Sequence, residues 1–339
     1  MLVGWLVYCC VNVLGHLFLI LTCTPFFFSL FLLGIFDVDP VTQLMNSLDT
    51  VLSQEYYKFN KLLNTLRITL KNLQDAIKGL AVMSIELEAM YWSFLQGRVP
   101  SLWSNVAYPS LKPLASWVAD LKNRVLFIRN WLEIGQPKIF DLPAFYFPQG
   151  FMTAALQLHA RKYKIAINTL KFSFEILSAK DQLNCERWVR PSSKSIKDEN
   201  EDENKDENKD DDKDDNKDES EGDISKYDDG VLCSGMYLEG ARVALSEGDG
   251  DEGILQLKDQ LPRQLVSELP VIHFLPEPNH VINETYYVCP VYKVSTRQGV
   301  LSTTGMSTNF VVSIELPRGA QTSSYWILRG TAALLNLDT

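Results

Sequence analysis

The stretch YPSLKPLASWVADL, Tyr108 to Leu121, sets two prolines four residues apart and starts an apolar pattern directly after the second. Pro113 suits the first turn of a helix, where a missing N–H costs nothing. Leu114, Trp117, Val118, Leu121, Val125, Ile128 and Trp131 then recur at helical spacing and mark one face. Tyr108 and Pro109 impose an extended entry. Fixed prolines before an amphipathic run aim a helix at a set angle, so the stretch reads as scaffold.

Upstream, Phe59, Leu63, Leu66, Leu70, Leu73, Ile77 and Leu80 are spaced alternately four and three apart. That seam predicts a helix packed in a local bundle, with Gly79 permitting a break near its end. Met83, Leu87, Met90 and Phe94 predict a second helix, and GRVPSLW reads as a loop closed off by Pro100. Downstream, GFMTAALQLHARKYK predicts a helix with Phe151, Ala155 and Leu158 inward. Arg161, Lys162 and Lys164 near its C-terminal end complement the helix dipole and are too few for a nucleic-acid patch.

After Leu170 the period changes. Phe172, Phe174 and Ile176 alternate with polar residues, as a strand requires. The runs VLCSGMYLEGARV, LPVIHFLP, TYYVCPVYKVS, NFVVSIELP and SYWILRGTAALLNL are separated by Gly, Pro, Asn and Ser clusters, which predicts an antiparallel sheet or small barrel. One short helix is expected around Leu255 to Leu265. The fold class is α+β, helices first and strands second.

The net charge of −10 is concentrated in one place. Residues 194–229 hold 18 Asp and Glu against 7 Lys, leaving 25 basic and 24 acidic residues elsewhere. This run, KDENEDENKDENKDDDKDDNKDESEGD at its heart, buries too little surface to offset its ordering entropy and is expected to be a disordered insertion. It lacks the Gly and Glu spacing of a calcium-binding loop. The nearly neutral remainder offers no broad basic field for nucleic acid. Residues 1–36 contain no Asp, Glu, Lys or Arg and are long enough to span a bilayer, although Pro25 and Phe26–Phe28 interrupt them. The six cysteines (Cys9, Cys10, Cys23, Cys185, Cys233, Cys289) form no metal-type spacing and read as free thiols. Asn283-Glu284-Thr285 is a lone glycosylation sequon.

No P-loop, GxSxG, HExxH or dinucleotide-type GxGxxG is read in the chain. Among the four histidines (His16, His159, His273, His280), His273 lies in an apolar strand and is expected to be a satisfied core or edge residue. His159 has no nucleophile matched to it. Ser302, Thr303 and Thr304 have no identifiable activating base and read as turn hydrogen bonding. The site expectation is therefore none: no catalytic, cofactor-binding or metal-ligating residue.

The runs FNKLLNTLRITLKNLQDAIKGLAVM, YPSLKPLASWVADL, ARKYKI, YLEGAR, LPVIHFLP, YVCPVYKVSTRQGVLSTTGMSTNFV and WILRGTAALL together resemble the C-terminal region of dynein heavy chains, most closely the axonemal class. The resemblance covers roughly Asp37 to Asp338 apart from the acidic run. It implies a helical bundle followed by a partial β-barrel, packed on the AAA+ ring of a minus-end-directed microtubule motor that drives cilium movement. ATP and Mg sites, the microtubule-binding stalk, and contacts with intermediate and light chains would lie in the rest of that motor. The expected organisation is an apolar leader or transmembrane segment (1–36) without family counterpart, a helical part (37–190), the acidic insertion (191–229) and a β-rich barrel (230–339). The expected location is cytoplasm, cytoskeleton and cilium axoneme. A single-pass membrane protein reusing the domain as a binding module is the alternative.

Overall fold

A computed structural model describes residues 46–178, 227, 229–246, 254–301 and 307–338. The leader, most of the acidic run and Ser302 to Thr304 lie outside them.

Helix α1 (Ser47–Ile77) starts twelve residues before the seam that predicts it. Asn46 accepts the Leu48 N–H at its start, and Asp49 faces the positive end of the dipole. It ends in a Schellman motif: the Gly79 N–H donates to Ala76 O and the Leu80 N–H to Asp75 O, with Gly79 at φ 74°. The seam buries Phe59, Leu63, Leu66 and Leu73, but Ile77 and Leu80 emerge into solvent. Helix α2 (Ile85–Leu95) is capped by Ser84 and closes in the same way on Gly97. Met90 is its fully buried anchor. The expected loop after Pro100 contains one further turn, α3 (Ser101–Ser104), because Pro100 O accepts from both Trp103 and Ser104 N–H.

Helix α4 (Leu114–Ile134) follows Pro113, which stands at its N-cap, just before the first turn. Leu114 N–H donates to Gly97 O, so the proline-fixed entry is tied to the end of α2. Leu114, Trp117, Val118, Leu121, Ile128 and Trp131 are buried as expected, with Val125 half-buried. An aromatic column runs from Phe94 through Trp103, Trp117 and Tyr108 to Tyr146 and Phe59. Helix α5 (Pro148–Tyr163) buries Phe151 and Ala155 as predicted.

Three sheets follow among the described residues. The first has the order β1-β3-β8-β2: β1 (Ile139–Asp141), β2 (Leu170–Ile176), β3 (Val231–Ser234) and β8 (Ile272–Pro278). Phe274 is its hinge, opposite Phe174 on one side and Val231 on the other. The second has the order β10-β9-β11-β4-β7: β4 (Tyr237–Glu239), β7 (Val266–Glu268), β9 (Tyr286–Tyr292), β10 (Phe310–Pro317) and β11 (Ala332–Leu334). The third is the ribbon β5 (Arg242–Leu245) with β6 (Leu255–Lys258), which touches β7 on one side and β10 on the other. Ladder hydrogen bonds do not close this ring, so the barrel is partial.

The architecture is α+β in the expected order, with three local corrections. The helix expected at Leu255 to Leu265 is instead β6 and a turn, because Leu255 and Leu257 pair against β5. SYWILRG is not strand: it forms α6 (Ser323–Leu328), capped by Thr322, before β11 begins. The pairings are not all antiparallel, since β1 runs parallel to β3 and β11 parallel to β9. Strands β1 and β2, which precede the acidic run, pair with β3 and β8, which follow it. One continuous core joins Phe59, Trp117 and Phe151 to Phe274, Val291, Ile314 and Trp326.

Candidate functional site

The helices and sheets meet at Arg124, which the helical pattern of α4 conceals. Its position falls beside Leu121 and Ile128 on the buried face, and it is only 3% exposed. The guanidinium lies 3.8 Å from the Tyr108 ring centroid. Its Nε donates to Asp120 Oδ2 at 2.7 Å, and its Nη1 and Nη2 donate to Pro143 O and Asn336 Oδ1. Asn336 follows β11 and also donates from its amide group to Lys293 O. One buried cation thus ties α4, the turn after β1 and the end of β11.

Three carboxyls surround this joint. Burial pushes Asp120 up, but Arg124 and Lys112 outweigh it and hold the group below the usual carboxylate range. Burial pushes Asp141 up to about 6 against the pull of Arg124, with Asp120 and Glu268 adding to the rise. These charges influence one another across the joint.

A second joint holds the chain just ahead of α5. Phe147, the N-cap of α5, has no capping side chain of its own. Glu55 of α1 instead fixes the two residues that lead into the helix: Oε2 accepts the Tyr146 N–H at 2.7 Å and Oε1 the Phe147 N–H at 3.0 Å. Burial raises the Glu55 carboxyl, while these two N–H groups, Lys58 and Lys293 oppose that rise.

Exposed apolar side chains occur along the described chain, and one group of them stands at the α1–α2 elbow. Leu80 (76%), Val82 (90%), Ile85 (86%) and Trp92 (53%) are exposed there, with Ile77 beside them. Grouped exposed apolar side chains are a common feature of surfaces that partners cover.

His273 is a buried core histidine, its Nε2 2.6 Å from Asp229 O and its ring edge-on to Tyr227. His159 packs on Tyr163, and burial lowers its pKa. Arg161, Lys162 and Lys164 sit exposed at the end of α5, where Lys162 pairs with Asp229. Cys233 and Cys289 are buried free thiols. Among the described residues no side-chain group has the arrangement to hold a metal ion, and no helix is long and apolar enough to cross a membrane. One pattern escapes the motif reading: Gly248, Gly250 and Gly253 stand at GxGxxG spacing. They lie outside the described residues, but their flanks are the antiparallel strands β5 and β6. A dinucleotide phosphate needs a helix after the glycines, and a strand follows instead.

Residues 29–335 match the family described as the C-terminal domain of the dynein heavy chain. The match takes in 29–36, so the end of the apolar leader does have a family counterpart, contrary to expectation. Human dynein axonemal heavy chain 6 is 42% identical over 295 residues, which is 87% of this chain and 6% of that protein. Dynein axonemal heavy chain 1 of Rattus norvegicus is 40% identical over 293 residues, 86% of this chain and 5% of that protein. Human dynein axonemal heavy chain 3 is 38% identical over 309 residues, 89% of this chain and 6% of that protein. The sequence thus corresponds to a small share of the length of these relatives. By the family match and by these identities, the protein belongs to the family of C-terminal domains of dynein heavy chains.

Proposed function

We propose that the protein is the C-terminal structural and regulatory region of an axonemal dynein heavy chain. It has no catalytic site of its own and docks on the nucleotide-driven AAA+ ring of the parent motor. ATP and Mg bind elsewhere in that motor, which moves toward microtubule minus ends and drives ciliary beating in the axoneme. Intermediate and light chains and the microtubule are partners through the whole complex. The carrying observation is the exposed apolar elbow on a domain of this family. The same seam that builds the α1 core continues past Leu73 into solvent, as a surface shared with a larger body would.

The test is association of the 339-residue chain with the remainder of the heavy chain, supplied as a separate polypeptide. Val82→Asp combined with Ile85→Asp weakens it tenfold or more, since each buried side chain of that size carries about 1.5–3 kcal/mol. The thermal midpoint of the protein stays unchanged, because both residues are exposed. Undiminished association in the double variant, or ATP turnover by the protein alone, overturns the reading.

A further inference from the structure

His280 belongs to no motif of the sequence, and nothing in the docking reading uses it. It lies two residues beyond β8, after Asn279 turns the chain at φ 54°. The loop it opens is pinned at both ends by backbone bonds: Asn279 N–H donates to Thr169 O, and Arg318 N–H to Thr285 O. Between these anchors the imidazole reaches across to β10. Its Nδ1 stands 3.1 Å from Glu277 Oε2, and its Nε2 stands 3.0 Å from both oxygens of Glu315. Glu315 is buried, and Glu277 is half-exposed.

A neutral imidazole carries one N–H and can serve only one of these carboxylates. Both nitrogens face acceptors, so the arrangement is complete only when both are protonated. Other charged groups nearby are Lys171, opposite Glu277 across the β2–β8 ladder, and Glu284 further along the loop. We propose that His280 is a proton-operated latch: its imidazolium clamps the β8–β9 loop onto β10, and loss of that proton releases the loop. The hydrogen bond to Glu315 raises the pKa of His280, against a smaller opposing effect of burial. The sign follows from linkage. A histidine whose folded pKa is raised contributes its full stabilisation at acidic pH and loses it as pH rises through the folded value. The apolar pair Val281 and Ile282 lies within the released segment.

The test uses the full-length 339-residue protein. The His280 ring is followed by NMR, assigned by its loss in His280→Gln. Amide hydrogen exchange of 279–285, corrected for the intrinsic pH dependence, is followed over the same range. The ring titrates above the ordinary histidine value of about 6.5. Loop protection falls through the same midpoint, by about tenfold for every pH unit that the midpoint stands above that of the free imidazole. His280→Gln removes the step, and Glu315→Gln moves ring and step together to lower pH. Should Glu315→Gln fail to fold, the half-exposed Glu277→Gln shifts both in the same direction by less. A midpoint at or below the ordinary value, or a protection step that survives in His280→Gln, overturns the latch. Neither result bears on association with the ring, which the elbow variants test separately.

Discussion

Trp117 shows how much one residue carries when it sits at a crossing. It is 1% exposed and stacks between Trp103 and Tyr108, with ring centroids at 5.9 and 6.1 Å. Trp117→Ala costs roughly 3–5 kcal/mol, read from denaturant unfolding, and an unchanged midpoint refutes the packing. Asp141 makes an opposite prediction. Its folded pKa of about 6 exceeds that of an unfolded aspartate, so the native state binds its proton more tightly. Stability therefore falls as pH rises from the ordinary carboxylate range toward 6. Asp141→Asn removes that loss: it stabilises by about 3 kcal/mol at neutral pH, and the gain vanishes in acid, as denaturant unfolding at the two pH values checks. Asp120 has the reverse sign, with stability present at neutral pH and lost as pH falls through its lowered folded value. Trp117 was legible in the sequence because its spacing is helical. Arg124 was not, because an arginine on an apolar face shows its partners only after folding.

At the scale of elements, local signals placed some helix boundaries and missed others. Gly79 and Gly97 announce the stops of α1 and α2, and both have positive φ. An added Cβ at Gly97 meets nothing within 4 Å, so Gly97→Ala isolates the backbone effect. It costs about 1 kcal/mol, measured by thermal unfolding. The start of α5 has no side-chain cap, and the residues leading into it are held by Glu55, far earlier in the sequence on α1. Glu55→Ala leaves two N–H groups without their acceptor and costs about 2–3 kcal/mol, whereas Glu55→Gln, which keeps one acceptor oxygen, costs less. The two misread elements have one cause. Short apolar runs such as Leu255 to Lys258 and Ser323 to Leu328 carry no decisive period, and pairing or capping partners settle their state.

At the scale of the whole molecule, the order of elements does not match their order in space. Strand β11, formed by Ala332–Leu334, lies between β9 and β4, and the Asn336 that follows it reaches back to Arg124 of α4. The helical and sheet parts therefore share one continuous core, which runs from α1 and α2 to the last strand. The elbow variants of Val82 and Ile85 test the surface just outside it, where the apolar seam leaves the core.

The amino-acid sequence by itself determined the class of fold, the main helix faces, most strands and the family, because periodicity, prolines, glycines and long matching runs are local signals. Tertiary structure alone decided which strands are neighbours, that Arg124 is buried and satisfied, that Glu55 holds the entry to a distant helix and that His280 stands between two carboxylates. Each of these depends on groups far apart in the sequence, and a charged group shows whether it is buried or solvated only when the surfaces around it have closed.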